Sequence, residues 1–242
     1  MGKRQLLDAS NKRILIKLSG EALAGDKGSG FDTAAILDIV EEIVDVREMG
    51  FQPCIVIGGG NLFRGNMRPP QVERATGDSM GMLSTIMNAL ALRDFFESGG
   101  TSAEVYSNLP IPGVVRPFVR REARQDMDRG TVVIFAGGLG KPYFTTDTTA
   151  AWAALEMQCG LVVKATNVDG VYSGHPAKDP DARLYDTLTY AEVLEKELRV
   201  MDLTAMTLLK DYAMPLVVLN VRKKGNLKRM VAGGDVGTLV TV

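Results

Sequence analysis

Residues 55–65 read IVIGGGNLFRG. Three apolar residues, Ile55, Val56 and Ile57, run into three consecutive glycines and then Asn61 and Arg64. The apolar run predicts a buried strand, and the glycines a loop whose bare backbone N–H groups can meet an anion. Arg64 points the same way, phosphate being the commonest anion such a pairing binds. A tight turn that uses glycine for backbone reasons alone is the competing reading.

Upstream of this stretch, 32–50 follows the i, i+3, i+4, i+7 pattern through Ile36, Ile39, Val40, Ile43 and Val46. Asp32 serves as N-cap and Gly50 as stop, so a helix is expected there. Before it, 13–18 (RILIKL) reads as a strand followed by a small-residue turn, Ser19, Gly20 and Glu21. Strand, helix and strand in succession predict a right-handed parallel crossover. Lys17 is then either a strand-end lysine reaching solvent or a cation at the carboxyl edge of the sheet, where open α/β sheets bind ligands. Downstream, a helix is expected over 78–97, its Met80, Met82 and Met87 filling gaps in the core. Strands are expected at 104–107, 132–135, 161–166 and 216–220, and helices at 120–129, 146–157 and 202–212. This alternation, with no composition break, predicts one layered α/β domain over 13–242 after a loose tail, 1–12.

The composition sets limits. The chain has 242 residues, 45% hydrophobic and 24% charged, with a formal net charge of −1. That balance argues against nucleic acid or a membrane surface as a partner held by bulk charge. Neither an 18-residue apolar run nor the apolar core of a signal peptide occurs, so a soluble, cytoplasmic protein is expected. The two cysteines, Cys54 and Cys159, read as reduced core thiols.

Four loops share one design, with small residues just past a strand and a charged or hydroxyl group nearby. They are 17–21 (KLSGE), 58–65 (GGGNLFRG), 136–147 (AGGLGKPYFTTD) and 164–172 (KATNVDGVY). In a parallel sheet they converge on one edge, and several cradles fit two phosphorylated ligands laid end to end. Other nucleotide-binding patterns fail on spelling. Gly140–Lys141 is followed by Pro142, and Phe63 stands where GxGxxG needs its last glycine. Two cysteines and the single His175 cannot make a metal cage, and no strand–GxSxG–helix element would make His175 a hydrolase base; it reads as a loop residue.

Phosphoryl transfer to an acceptor that is already an anion fits best. A phosphate monoester has a second pKa near ~6 and needs no base at neutral pH. Catalysis then reduces to in-line positioning and neutralisation of the equatorial oxygens by cations and Mg²⁺. Lys17 and Arg64 supply positive charge. Asp147 either orients a lysine, holds hydrated Mg²⁺ or caps the helix that follows.

The segments KLSGEAL, VIGGGNLFRG, GDSMGM, PYFTTDT, KATNVDGVY and TYAEVLEKELRVMDLTA together resemble the bacterial uridylate (UMP) kinases, a family of the amino-acid kinase superfamily. The similarity runs from about residue 13 to 242. It implies a three-layer α/β/α sandwich around a mainly parallel sheet (the amino-acid kinase fold), Mg²⁺-ATP as donor and UMP as acceptor. It further implies a homohexamer, feedback inhibition by UTP and, in many members, activation by GTP.

Transferred onto this chain, the resemblance places Lys17, Leu18, Ser19, Gly20, Gly60 and Arg64 on the ATP phosphates. Thr166, Tyr172 and His175 fall at the adenosine end. Gly59, Asp78, Leu139, Gly140, Lys141, Pro142, Tyr143, Phe144, Thr145 and Thr146 fall on UMP. Lys17, Arg64, Asp147 and Asp202 surround the reacting phosphates. The chain departs from the family's spelling where Leu139 and Lys141 replace a threonine and an asparagine, where Tyr143 replaces a phenylalanine, and where His175 replaces an aspartate. Arg116 stands where many relatives carry an acid. Two alternatives remain: another kinase of the superfamily, such as acetylglutamate or aspartate kinase, or a catalytically silent nucleotide-binding or storage protein.

Overall fold

The computed structural model describes residues 11–65, 68–176 and 178–242. Nine strands form one sheet: β1 (Arg13–Leu18), β2 (Gln52–Ile57), β3 (Ala103–Ser107), β4 (Arg116–Pro117), β5 (Val132–Ala136), β6 (Leu161–Thr166), β7 (Thr187–Thr189), β8 (Leu216–Asn220) and β9 (Thr238–Thr241). Their order is β4-β3-β5-β2-β1-β6-β8-β9-β7. Every neighbouring pair is parallel except β8–β9. The central strands are buried on both faces, which is why they read as nearly continuous apolar runs.

Helices cover both faces. On one side α1 (Gly20–Ala24), α2 (Thr33–Glu48), α3 (Arg74–Ser98) and α8 (Asn226–Val231) pack on Ile14, Ile16 and Leu18 of β1 and their neighbours. On the other, α4 (Arg120–Asp128), α5 (Thr146–Glu156), α6 (Tyr190–Glu195) and α7 (Leu203–Asp211) pack around Leu15, Val56 and Val162. The expected three-layer sandwich is present. Because side chains alternate along a strand, Lys17 shares the face of Leu15 and meets the α5 layer.

α2 keeps its expected cap, Asp32 accepting from the N–H groups of Ala34 and Ala35. α3 differs from expectation. It begins at Arg74, so Asp78 lies inside the helix rather than opening it. Met82 is buried as expected, but Met80 and Met87 are 38% and 55% exposed and fill no core gap. With Leu83 they form an apolar stripe on the outer face of α3. Of the expected loose tail, 1–10 lies outside the described residues, while Asn11 and Lys12 are tied down. Asn11 donates to the Gln158 carbonyl at 3.3 Å, and the Lys12 carbonyl accepts from Gln52 N–H at 2.8 Å. Cys54 and Cys159 are buried, unlinked thiols with sulfurs 3.7 Å apart, and burial pushes the Cys54 thiol well up. Arg116 is balanced by Glu104, Glu122 and Asp126 and stacks 4.8 Å over the Tyr106 ring.

Candidate active site

β5, β2, β1 and β6 are consecutive in the sheet, and each ends in one of the four small-residue loops. Parallel pairing therefore brings all four loops to a single edge. At that edge Lys17 of β1 is the register partner of Lys164 of β6. Side chains of register partners lie on the same face, so two ammonium groups are forced together. Asp147, in the first turn of α5, sits between them: Lys17 Nζ is 2.8 Å from Oδ1 and Lys164 Nζ 3.0 Å from Oδ2. The Lys17 contact is a pairing of charges rather than an aligned hydrogen bond, for Oδ1 accepts none.

Burial alone would push the Asp147 carboxyl up, but the two lysines outweigh it and hold the group below the usual carboxylate range. Burial pushes the Lys164 ammonium down. Asp147 opposes that shift and Lys17 adds to it, leaving the group below the ordinary lysine value. Lys164 also donates to the Val200 carbonyl. The cap of α5 is Thr145, not Asp147: its hydroxyl accepts from the N–H groups of Asp147 and Thr148. Asp147 is thus free of capping, and its carboxylate pairs with both lysines. Asp202 caps α7 through Ala205 N–H and also receives the hydroxyls of Thr145 and Thr148, so it ties the starts of α5 and α7 together.

The glycine cradle is sterically exact about its residues. A Cβ on Gly20 would lie 2.4 Å from Asn61 Oδ1 and 2.7 Å from Gly60 N, and one on Gly59 would lie 2.7 Å from Ser84 Cβ. Only glycine fits at either position. Arg64 donates to the Gly60 carbonyl at 3.1 Å and pairs with Glu21 at 2.7 Å. Both side chains are nearly half exposed, so an arriving anion can compete for the guanidinium. Ser19 precedes α1 without making a side-chain cap. Leu18 is wholly in the core, and its carbonyl accepts from Gly58 N–H.

A hollow of about 150 Å³ opens beside the cradle, lined among others by Gly59, Asp78, Gly138, Phe144, Thr145 and Thr146. Five of these six are residues expected on the acceptor. Asp78 is held by Arg74 and accepts from Tyr143 N–H at 2.9 Å. Tyr143 has φ of 73°, a left-handed conformation that is uncommon outside glycine, and the residue is 68% exposed. Leu139 and Pro142 are half-buried in the same loop and Lys141 is exposed. Gly140 is fixed by a φ of 70° and by the Asn108 carbonyl, 2.7 Å from where its Cβ would be. A second hollow, about 480 Å³, is bounded by Asp147, Lys164, Leu198, Val200, Met201 and Leu203.

Thr166 ends β6, its carbonyl accepting from Val221 N–H. Tyr172 bridges Leu184, and the His175 carbonyl closes a turn with Lys178 and Asp179. Neither Tyr172 nor His175 lines the two hollows. Among the described residues no three acidic, cysteine or histidine side chains converge as a metal cage. A Mg²⁺ ion carried on a triphosphate needs no such cage, since it keeps its waters and takes one or two carboxylates.

Lys164, Glu21 and Arg74 join the site without having been singled out. Lys164 had a signal: it interrupts an apolar strand (LVVKAT) as Lys17 interrupts RILIKL.

The profile of the amino acid kinase family matches residues 12–220. A protein of Erythrobacter litoralis named uridylate kinase is 47% identical over 230 residues, which is 95% of this chain and 97% of that one. One of Methylococcus capsulatus with the same name is 46% identical, covering 95% and 96%. The crystal structure of UMP kinase from Bacillus anthracis superposes with a TM-score of 0.92 at 37% identity, covering 96% of each chain. That of UMP kinase from Ureaplasma parvum gives 0.90 at 32% identity, covering 96% and 99%.

Proposed function

The chain belongs to the amino acid kinase family, and from that premise we propose that it is a uridylate kinase, transferring the γ-phosphoryl group of ATP to UMP to give ADP and UDP. The observation that carries this reading is the near-full-length identity to two proteins named uridylate kinase. The Lys17–Asp147–Lys164 cluster gives it a chemistry.

A phosphate oxygen of UMP attacks the γ-phosphorus while the bond to the bridging oxygen breaks and ADP leaves with that electron pair. At neutral pH the acceptor phosphate is mostly a dianion, so no base is required. Lys17 and Lys164 stabilise negative charge on the transferring group, and Asp147 keeps the two ammonium groups together against their repulsion. Gly20, Gly60 and Arg64 cradle donor phosphates, with Leu18 and Ser19 contributing backbone, and Thr166, Tyr172 and His175 lie toward the adenosine. Gly59, Asp78 and the 139–146 loop hold UMP. Asp202 positions Thr145 and, through it, the start of α5. Mg²⁺ bound to the triphosphate neutralises further charge.

We read residues 13–242 as one domain of a cytoplasmic enzyme of pyrimidine nucleotide biosynthesis, with UTP competing at the UMP site. No described helix is long and apolar enough to cross a membrane. A homohexamer would cover the apolar stripe of Met80, Leu83 and Met87. Leu83→Glu is expected to shift the protein from six chains to smaller species in light scattering; an unchanged mass would remove this face from the assembly.

Exposed Lys141 cannot copy the paired donor and acceptor of an amide, so uracil is read partly by backbone groups. Lys141→Asn should therefore leave UMP turnover within about tenfold of the parent. Loss of all UMP activity would mean that Lys141 reads the base itself.

The proposed activity is tested by coupled measurement of ADP formation with UMP, CMP, dUMP and TMP as acceptors. UMP is expected to give the highest kcat/KM. Turnover with acetylglutamate or aspartate instead would favour another superfamily kinase, and none with any acceptor a silent binding protein.

A further inference from the structure

Asn61 follows the three glycines directly and takes no part in the chemistry above. Asn61 is 4% exposed, and its carboxamide faces that of Asn88 of α3, which is fully buried. The two pair reciprocally. Asn88 Nδ2 donates to Asn61 Oδ1 at 2.7 Å, and Asn61 Nδ2 donates to Asn88 Oδ1 at 3.1 Å. Each Nδ2 also donates once outside the pair: Asn88 to the Gly58 carbonyl at 2.6 Å, Asn61 to the Gly30 carbonyl at 2.8 Å. Those carbonyls accept only, so they fix both amide orientations.

Two buried amides are expensive unless every strong donor and acceptor is matched, and here all are. The pair ties together three segments: the glycine loop, α3, and the 25–31 turn, whose Gly30 N–H donates back to the Asn61 carbonyl at 3.1 Å. It also packs directly against the cradle, since Asn61 Oδ1 fills the space a Gly20 Cβ would need. Gly60 N and the Gly58 carbonyl crowd the same point, at 2.7 and 2.8 Å, so the pair and the glycine loop pack together against Gly20.

We infer that the Asn61–Asn88 amide pair is the positioning device of the phosphate cradle, with the Asn88–Gly58 bond setting the loop that phosphoryl transfer depends on. Neither side chain touches a reacting atom; both act through Gly58, Gly60 and Gly20. The inference rests on the kinase reading.

Asn88→Asp and Asn61→Asp make a matched test. Each removes one NH₂ from the same buried pair and adds one carboxylate, so a purely structural role predicts similar losses in both Tm and kcat. They differ in which segment is released. Asn88→Asp frees the Gly58 carbonyl, whereas Asn61→Asp frees that of Gly30 and keeps the Asn88–Gly58 bond. With both substrates saturating, kcat of Asn88→Asp is expected to fall at least about tenfold below that of Asn61→Asp, at Tm values within a few degrees. Equal kcat losses in the two variants, or losses that track Tm, would overturn the inference. If a carboxylate prevents folding, Asn88→Ala alone frees the Gly58 carbonyl without charge, and its kcat is expected to fall at least about tenfold below the parent's; a kcat equal to the parent's would overturn the inference. Parent enzyme that fails to turn over ATP and UMP would instead refute the kinase reading.

Discussion

Lys17→Met is expected to lower kcat with ATP and UMP by about 10²–10³-fold while leaving UMP affinity near that of the parent. A preorganised cation aimed at developing charge contributes mainly in the transition state, and losing one such group costs on that order. The substitution nearly conserves volume in a strand that is buried on both faces, so the sheet should persist. It also leaves Asp147 with Lys164 as its one remaining lysine. The carboxyl pKa should rise, because burial is then opposed by one cation rather than two. A depressed carboxylate pKa stabilises the fold above the unfolded pKa, and that contribution disappears as pH falls through the folded value. Acid unfolding of the variant should accordingly begin at higher pH than in the parent. Steady-state rates, calorimetric UMP binding and acid titration by circular dichroism check the three parts. Near-normal kcat would remove Lys17 from the reaction.

Asp147→Asn should be comparably severe, at about 10²-fold or more in kcat, for a different reason. The anion between two register-paired lysines is lost, and their repulsion is no longer offset. Lys164 already lies below the ordinary lysine value because of burial, with Asp147 resisting that shift. Without the carboxylate its pKa falls further, so the amine becomes neutral at a lower pH. The residual rate of the variant should decline with rising pH earlier than that of the parent. A pH–rate profile from pH 6 to 9 measures this. An alkaline limb coincident with the parent's would mean that Asp147 does not maintain the charge on Lys164.

How much of this was legible in the sequence depends on the length of each element and on whether its partner is local. The 13–18 strand, the 32–50 helix with its Asp32 cap and the four loops are read directly, because periodicity and turn chemistry are local. α1, α6 and α8 are five or six residues long, too short to hold together without tertiary packing, and leave little periodic trace. Edge strands β4 and β7 are two and three residues long and equally silent. α3 reaches back past Asp78 to Arg74, which pairs with that aspartate one turn on. Met80 and Met87 have a helical spacing that fits a core, but nothing local says which face of a long helix turns outward. The same limit hid the centre of the site. Lys17 and Asp147 each stood out alone, yet only strand register puts Lys164 opposite Lys17 with Asp147 between them. Whether Asp147 or Thr145 caps α5 is likewise decided by backbone geometry at the turn.

The central claim is that a phosphoryl group passes from ATP to a nucleoside monophosphate in one step at the Lys17–Asp147–Lys164 cluster. The most direct measurement is to incubate the protein with UMP, Mg²⁺ and ATP labelled in the γ-phosphoryl group, and to resolve the nucleotides formed. The predicted result is label in the β-phosphoryl group of UDP, one UDP for each ADP, and loss of both products together in Lys17→Met. Label appearing as inorganic phosphate without UDP, or ATP and UMP binding together without exchange of label, would contradict it.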